Sequence, residues 1–174
     1  MPDKNRCSWC EKDQLYRDYH DTEWGKPVYD DQKLFEFLIL ETFQAGVSWH
    51  LILKKRENFK KAFLGFDYQQ IAHFGDYEVQ ELMKAAINNA KAFIKIQEEF
   101  GSFSNFIWSY VDGKQVDNKF HSLSEVPAFN PLAEKISKDL KKRGFKFIGP
   151  TTMYAHMQAT GMMNDHMIDC WTRS

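Results

Sequence analysis

Two cysteines and two histidines near the ends of the chain have side chains of the types that bind metal ions. His166 and Cys170 are four positions apart, so a helix would bring both side chains to one face, one turn apart. Cys7 and His20 are thirteen positions apart near the other end. Two cysteines and two histidines form a common tetrahedral zinc site, which leaves no position open for catalysis. The pattern therefore predicts a structural zinc ion that joins the two ends of the chain.

The same residues have a simpler interpretation, which their spacing does not exclude. The cysteines could be buried thiols, and the histidines could be ordinary polar residues. The motif Cys7-Ser-Trp-Cys10 could also be a CxxC pair with a redox or metal-binding role. Composition does not choose between Cys7 and Cys10 as a ligand.

A carboxylate occurs within an apolar stretch, where charged groups are rare. Glu41 follows the run FLIL and precedes Phe43 by two positions, which places it on or beside the buried face of a predicted helix. Burying a carboxylate is costly unless the group is hydrogen-bonded, paired or part of a functional site. Glu41 is therefore either an acceptor for a tyrosine or backbone group, or the base of a binding pocket.

Aromatic residues are frequent on both sides of this acid in the sequence. Trp9, Trp24 and Trp49 occur there, and Tyr16 and Tyr19 are three positions apart, so they would share one face of a helix. These rings are either core residues or the walls of a pocket around the acid. Such a pocket would favour a flat, electron-poor or cationic ligand, because aromatic faces attract cations.

The segment 138–152, KDLKKRGFKFIGPTT, has the glycines and lysines of a phosphate-binding turn between two helices. Gly144 would end one helix and Gly149 would open the next, whose N-terminus offers free amide groups and the positive end of a dipole. The charged neighbours are Lys141, Lys142, Arg143 and Lys146. A glycine cap beside a solvated lysine face also fits this segment. A second basic run, KKRENFKK at 54–61, is more typical of a solvated helix face.

Hydrophobic periodicity predicts that helices position these residues. Asp30 or Asp31 can cap a helix through LFEFLILETFQA, and Ser48 can cap WHLILKKRENFKKAF. Further helices are predicted from Asp67 to His73, over 76–100, from Ser102 or Ser104 through NFIWSYV, over 131–142, from Gly149 to Thr160, and over 164–171. Asp112-Gly113 predicts a turn, with a small extended hairpin around 110–120. The predicted fold class is all-α, in one domain spanning 1–174.

Composition limits the class of protein further. The 174 residues are 43% hydrophobic and 27% charged, as in an ordinary globular domain. A net charge of −1 does not by itself indicate a nucleic-acid partner, so any basic surface would be local. Three cysteines do not fit a secreted disulfide scaffold, and the sequence shows neither a signal segment nor a membrane-spanning apolar run. We therefore expect a cytoplasmic protein with no membrane partner.

Several segments taken together resemble the 3-methyladenine DNA glycosylase I family. They are YHDTEWG, LETFQAGVSW, LKKRENF, GSFSNFIWSYV, ISKDLKKRGFKFIGPT and MNDH, in this order between Cys7 and Cys170. Motifs of this length and order are highly specific. The resemblance implies a helix-hairpin-helix glycosylase that hydrolyses the N-glycosidic bond of 3-methyladenine in alkylated double-stranded DNA and releases the free base. We expect it to be a monomer.

The resemblance also implies roles for particular residues. The ligands of a structural zinc ion would be Cys7, His20, His166 and Cys170, with Cys10 as a spare thiol. Glu41 would be the catalytic carboxylate of the base pocket. The base-binding aromatic residues would be Tyr16, Tyr19, Trp49 and Trp9. The DNA-binding hairpin residues would be Gly144, Lys146, Gly149 and Thr151. No general base is assigned, and Asp165 stays open as a catalytic or a structural residue.

The chain departs from the family pattern at one place. Between EVQELM (78–83) and INNAKAF (87–93) only Lys84-Ala85-Ala86 joins the two sides, where the family carries a longer segment. This shortened joint raises an alternative function, that of a catalytically impaired relative that binds DNA or the base without excising it.

Overall fold

The computed structural model describes residues 4–44, 46–74 and 81–173 of the chain. Within these ranges the helices are α1 (Gln14–Thr22), α2 (Asp31–Phe43), α3 (Trp49–Ala62), α4 (Tyr68–Ile71), α5 (Glu81–Phe100), α6 (Phe103–Trp108), α7 (Pro131–Lys142) and α8 (Pro150–Ala159). Short 3-10 turns cover Ser8–Cys10, Leu64–Phe66, Ser109–Val111 and Leu123–Glu125. Two strands, β1 (Val116–Asp117) and β2 (Met163–Asn164), pair in parallel. The described part of the chain is thus mostly helical, as predicted.

Polar residues at the helix starts explain where several helices begin. The side chains of Asp30 and Ser48 accept hydrogen bonds from backbone N–H groups in the first turns of α2 and α3. Asp67 caps α4 in the same way, and Ser102, rather than Ser104, caps α6. Each cap satisfies one of the N–H groups that a helix start leaves free. These predicted helix starts are confirmed.

Asp31, the other candidate cap of α2, has a different role. Its carboxylate accepts hydrogen bonds from the backbone N–H groups of Phe103 at 2.8 Å and Ser104 at 2.7 Å, at the start of α6. The Gln97 amide of α5 donates to the same carboxylate at 2.6 Å. One side chain therefore ties α2 to α5 and α6 and fixes the orientation of the helix that carries Glu41.

The central helix of the core is α2. Eight of its residues between Leu34 and Thr42 are buried, and it packs against α3, α5, α6 and α8. A helix that is apolar on nearly all sides is typical of such a central position. Because α2 is enclosed in this way, the side chains on it have little freedom to turn toward water.

The C-terminal segment differs from the prediction. The predicted helix over 164–171 is wrong, since Met163–Asn164 form β2 and turns follow. The hairpin around 110–120 is also wrong, because β1 pairs with β2 and not within its own segment. The physical reason is Gly161, which ends α8 with a φ of +71° and lies against the backbone of Lys26, where a Cβ would meet the Lys26 carbonyl carbon at 2.2 Å. The chain leaves this turn beside β1, and strand pairing replaces a short helix that would be costly to nucleate.

The helix α5 is described from Glu81 and continues without a break to Phe100. The predicted helix across the shortened joint is thereby confirmed for 81–100, while 76–80 lie outside the described residues. Ala85 and Ala86 of the joint are buried, so this joint belongs to the packed part of the molecule. No described helix, the 20 residues of α5 included, combines the length and apolar composition needed to cross a membrane.

Candidate functional site

A cavity of about 280 Å³ lies between residues of α1, α2, α3 and α8 and is closed on one side by the C-terminal segment. The residues that line it are Trp9, Tyr16, Tyr19, Trp24, Glu41, Gln44, Trp49, Leu123, Val126, Ala155, Gln158, Asp165 and Met167. The structure therefore brings Glu41 together with all five aromatic residues named from the sequence, including Trp24, which the family resemblance did not assign to the base pocket.

Glu41 is the buried acid of this cavity. The residue is 5% exposed, and its Oε2 atom has no hydrogen-bond partner among the described residues. Burial raises the pKa of Glu41 to about 8, because no neighbouring cation or donor offsets the loss of water. The alternative interpretation, in which Glu41 accepts a hydrogen bond from a tyrosine or a backbone group, does not explain this unpartnered oxygen. A ligand that donates a hydrogen bond or carries positive charge would relieve the cost of its burial.

The cavity walls are aromatic rings that meet edge to face. The ring centroid of Trp9 lies 5.1 Å from that of Tyr16 and 5.0 Å from that of Trp24, at interplanar angles above 70°. The Tyr19 ring lies 5.6 Å from that of Trp49, at an interplanar angle of 53°. Burial, followed by the charge of the nearby acid, holds the pKa of Tyr19 well above its usual value, so the phenol stays neutral. The rings are thus fixed before a flat ligand arrives.

Tyr16 is held in the wall by a contact between the starts of α1 and α3. Asp13 Oδ1 caps α1 by accepting from the Tyr16 backbone N–H at 3.0 Å, and Asp13 Oδ2 lies 2.5 Å from His50 Nε2. The His50 ring lies 5.0 Å from the Tyr16 ring. Neither partner was expected from the sequence, although an aspartate three positions before Tyr16 is a recognisable cap signal.

Cys7, His20, His166 and Cys170 meet in one buried cluster, and their candidate ligand atoms all lie within 4.8 Å of one another. His166 Nδ1 lies 3.2 Å from His20 Nε2, and Cys170 Sγ lies 3.5 Å from His20 Nε2 and 3.6 Å from His166 Nδ1. A tetrahedral zinc site with bonds of about 2.3 Å to sulfur and about 2.05 Å to nitrogen has edges of about 3.3 Å between nitrogens and about 3.5 Å between nitrogen and sulfur. The cluster therefore has the dimensions of a metal site.

Neighbouring groups orient both imidazoles toward this cluster. His20 Nδ1 lies 2.8 Å from Asp21 Oδ1, and His166 Nε2 lies 3.0 Å from the carbonyl oxygen of Trp24. Each contact holds the proton on one ring nitrogen and leaves the lone pair of the other nitrogen as a possible metal ligand, as is typical of metal-bound histidines. On His166 that nitrogen, Nδ1, lies 2.9 Å from the Thr172 hydroxyl, which a metal ion would have to displace. The pKa of Cys170 is lowered, chiefly by the hydrogen bond from the Cys7 thiol, so a thiolate is available as a ligand. These residues can hold a metal ion.

The four residues meet without the local structure that their spacing predicts. His166 lies in a bend and Cys170 directly follows a turn, so they are not one turn apart on a helix. The Cys170 N–H donates to the Met167 carbonyl at 2.9 Å. Cys10 is buried but outside the cluster, where its thiol donates to the Cys7 carbonyl at 3.1 Å. The structure thus selects Cys7 over Cys10, the choice that composition left open.

Asp165 also lines the cavity, and it is fully buried. Tyr154, Gln158 and Asn118 each donate a hydrogen bond to its carboxylate at 2.7 Å. Both oxygens are satisfied by these neutral donors, in contrast to the free oxygen of Glu41. This pattern favours the structural interpretation of Asp165, as a link between α8 and the segment that follows β1.

The turn between α7 and α8 carries the residues predicted to bind DNA. Gly144 has a φ of +97°, and Gly149 is the N-cap of α8. Lys146 and Thr151 are exposed. Ala155 lies one helical turn after Thr151 on the same face of α8 and lines the cavity. The rise of about 1.5 Å per residue places the start of α8 roughly 6 Å along the helix from the cavity wall.

The described residues form a mostly helical protein in which aromatic rings enclose a buried acid without a partner for one of its oxygens, beside a cluster that can hold a metal. The family model described as methyladenine glycosylase matches residues 9–173. The chain therefore belongs to the methyladenine glycosylase family.

Relatives and solved structures agree with this assignment. The chain is 44% identical to a DNA-3-methyladenine glycosylase of Haemophilus influenzae, over 95% of this chain and 96% of the relative. It is 41% identical to DNA-3-methyladenine glycosylase 1 of Escherichia coli, over 95% of both chains. A crystal structure of a 3-methyladenine DNA glycosylase I variant in complex with 3-methyladenine matches with a TM-score of 0.93 and 36% identity, over 98% of both chains.

The buried acid leads to an unusual pH dependence of stability. The pKa of Glu41 is about 8 in the folded protein against an ordinary value of 4.5, so the folded state binds the extra proton between these pH values. The stability that comes with the neutral acid is complete below pH 4.5 and is lost as the pH rises through 8. We expect Glu41→Gln to raise the free energy of unfolding at pH 9 by roughly 3–5 kcal/mol and to change it little at pH 4.

Urea denaturation at both pH values measures this difference, and Glu36→Gln is the matched control on the same helix. Burial opposes the charge of Glu36, but the hydrogen bonds and charge of Arg56 outweigh it and lower the pKa of Glu36. Its replacement should therefore destabilise the protein at pH 9. If Glu41→Gln is no more stable than the wild type at pH 9, the ionised Glu41 must be hydrated or hydrogen-bonded, which would contradict its burial without a partner.

Proposed function

We propose that the protein is a DNA glycosylase that hydrolyses the N-glycosidic bond of 3-methyladenine in alkylated double-stranded DNA and releases the free base. The observation that carries this proposal is the unpartnered oxygen of Glu41 at the base of an aromatic cavity. The names of the relatives and the 3-methyladenine complex of a similar structure support it.

Positive charge is the proposed basis of recognition. An adenine methylated at N3 is cationic when joined to the sugar, and aromatic faces attract cations. Tyr16, Tyr19 and Trp49, with Trp9 beside them, contact the flat base, and Glu41 accepts a hydrogen bond from its exocyclic amine. A normal adenine has the same shape without the charge, so it gains much less from the acid and the rings.

Charge also explains how the bond breaks. In the empty pocket the pKa of Glu41, about 8, keeps the acid mostly neutral at pH 7. The arriving cation stabilises the carboxylate, so Glu41 loses its proton to solvent and pairs with the base. The electrons of the glycosidic bond pass to the base, which leaves as neutral 3-methyladenine. Water adds to the sugar carbon and loses a proton. A cationic leaving group needs little acid catalysis, so Glu41 is the one catalytic residue proposed.

A catalytically impaired relative is the second candidate, and the structure gives it little support. The argument for it was the shortened joint at Lys84-Ala85-Ala86. The described part of α5 passes through this joint as regular helix, and the cavity, its acid and its aromatic walls are all formed. These features favour the active enzyme.

The turn between α7 and α8 is the proposed DNA contact, in the manner of a helix-hairpin-helix. Gly144 and Gly149 let the backbone approach a phosphate, and the start of α8, with Thr151, offers free amide groups. Lys146 adds a nearby positive charge. The target nucleotide is then flipped out of the duplex into the cavity, at a cost of about a few kcal/mol that is smaller for a damaged base.

Zinc is the proposed occupant of the cluster formed by Cys7, His20, His166 and Cys170. Two thiolates and two imidazoles at tetrahedral spacing suit zinc, and four protein ligands leave no position for a substrate. The ion when bound ties the N-terminal segment to the C-terminal turns and supplies no step of the reaction. A single chain carries every proposed part, which supports the predicted monomer.

Excision by a variant of the pocket acid tests the proposed function. We expect the wild type to release 3-methyladenine from methylated duplex DNA, and Glu41→Gln to lower kcat/KM by about tenfold or more, equivalent to about 1.4 kcal/mol or more of transition-state stabilisation. Glu57→Gln, an exposed acid on α3, is the control and should keep wild-type activity. Chromatography of the released base measures both. Undiminished excision by Glu41→Gln would remove the acid from the mechanism, and no excision by the wild type would refute the function.

Metal content tests the zinc proposal. We expect purified wild-type protein to carry about one zinc ion per chain, as four ligands in one cluster require. Cys170→Ser should lose the metal and unfold at a lower temperature, because a structural site contributes its binding energy to folding. Cys10→Ser removes the neighbouring thiol outside the cluster and should keep both properties. Equal zinc content in the two variants, measured by atomic emission, would contradict the assignment.

A further inference from the structure

Two asparagines of α5 lie beneath the turn between α7 and α8. Asn89 is fully buried, and its amide makes two hydrogen bonds to one residue of the turn. Its Nδ2 donates to the Lys146 carbonyl at 3.1 Å, and its Oδ1 accepts from the Lys146 N–H at 2.8 Å. The preceding residue, Asn88, donates from Nδ2 to the Gly144 carbonyl at 2.5 Å. A side-chain amide thus pairs with the turn much as a neighbouring strand would.

A third side chain holds the far end of the same turn. Ser137 of α7 is 1% exposed, and its hydroxyl donates to the Ile148 carbonyl at 2.9 Å. The three residues together donate hydrogen bonds to the carbonyl oxygens of every second residue of the turn, namely Gly144, Lys146 and Ile148. All three oxygens therefore point into the protein. A buried serine hydroxyl or amide without a hydrogen-bond partner is costly, and so is a buried carbonyl. Each side chain and the carbonyl that it binds therefore offset the cost of burying the other.

The direction of these carbonyl groups decides the polarity of the turn. A carbonyl oxygen carries partial negative charge and repels a phosphate, whereas an N–H group attracts one. The carbonyl oxygens of Gly144, Lys146 and Ile148 are bonded inward, so these three do not repel a phosphate on the outer side of the turn. Among the described residues, no protein group accepts a hydrogen bond from the backbone N–H groups of Phe147, which is 54% exposed, and Gly149, which is partly exposed. These lie between exposed Lys146 and the start of α8.

The three side chains that bind the turn, Asn88, Asn89 and Ser137, are called the clamp below. They also hold a residue with a strained backbone in place. Phe147 has a φ of +55°, a left-handed conformation that is unfavourable for a bulky side chain. Its neighbours on both sides, Lys146 and Ile148, are the residues whose carbonyls are clamped. Without these bonds the segment could relax to an ordinary conformation, which would rotate its peptide groups away from their present direction.

We infer that Asn88, Asn89 and Ser137 are positioning residues for DNA binding, which fix the turn so that its amide groups face a phosphate. The inference rests on the proposed DNA contact. It differs from a general role in folding because it concerns the grip on DNA and not the base pocket, which these three side chains do not line.

Asn88→Ala and Ser137→Ala each remove one bond of the clamp with little change in packing. We expect each variant to raise the KM for methylated duplex DNA by about two- to tenfold, because the loss of one hydrogen bond typically changes an equilibrium by such a factor. The kcat at saturating DNA and the affinity for free 3-methyladenine, measured by tryptophan fluorescence, should stay at wild-type values. Asn105→Ala and Ser109→Ala are matched controls, because these side chains also donate to backbone carbonyls but lie on α6 and the turn after it.

The results separate this inference from the proposed function. A wild type that excises no base refutes the function itself. A wild type that excises the base while both clamp variants keep its KM for DNA refutes the clamp alone. A parallel loss of free-base affinity in the clamp variants would also refute it, since it would show a general loosening of the fold. A raised KM confined to the clamp variants supports it.

Discussion

The structure depends on one costly feature, a carboxylate buried on an apolar helix with an oxygen that has no partner. Such a group stays in place only if its helix cannot turn it toward water. Four helices packed against α2 supply that rigidity, together with the hydrogen bonds that Asp31 accepts from the start of α6. The cost of burying Glu41 is offset when a cation enters the cavity, because opposite charges attract strongly where water is excluded. A neutral base of the same shape offsets much less of it, and this difference is the proposed source of selectivity.

The cluster formed by Cys7, His20, His166 and Cys170 shares two tryptophans with the aromatic cavity. The Trp9 ring lies 5.3 Å from that of His20, and the Trp24 ring lies 4.6 Å from that of His166. Both tryptophans also line the cavity. An ion in the cluster would therefore act on the base only indirectly, by fixing two of the rings around it. The contacts that join the two ends of the chain therefore also position two rings of the cavity, although the residues involved are far apart in the sequence.

Local signals in the sequence predict most of the helices and single out the buried acid, whereas the pocket around it was one of two interpretations that the residues alone left open. Asp30 and Ser48 mark helix starts through their side chains alone, and an acid within FLILE stands out against its neighbours. The failures come from long-range contacts. The turns around His166 form because strand pairing and the cluster outweigh helix propensity, and the contact of Asp13 with His50 joins helices that the sequence does not place side by side. The hydrogen bonds from Ser137, Asn88 and Asn89 to the turn between α7 and α8 could likewise not be predicted. No local pattern in the sequence marks a side chain whose partner is a distant carbonyl.

The protonation state of Glu41 tests the central claim most directly. Carbon-13 NMR of a protein labelled at the glutamate carboxyl groups, assigned with Glu41→Gln, follows this one acid as the pH is changed. We predict a pKa of about 8 in the free protein. Saturation with a permanently cationic adeninium ion, methylated at N3 and N9, should lower it by at least one unit, as a neighbouring positive charge requires. A free-protein pKa near 4.5, or a pKa that the cation leaves unchanged, would contradict the account.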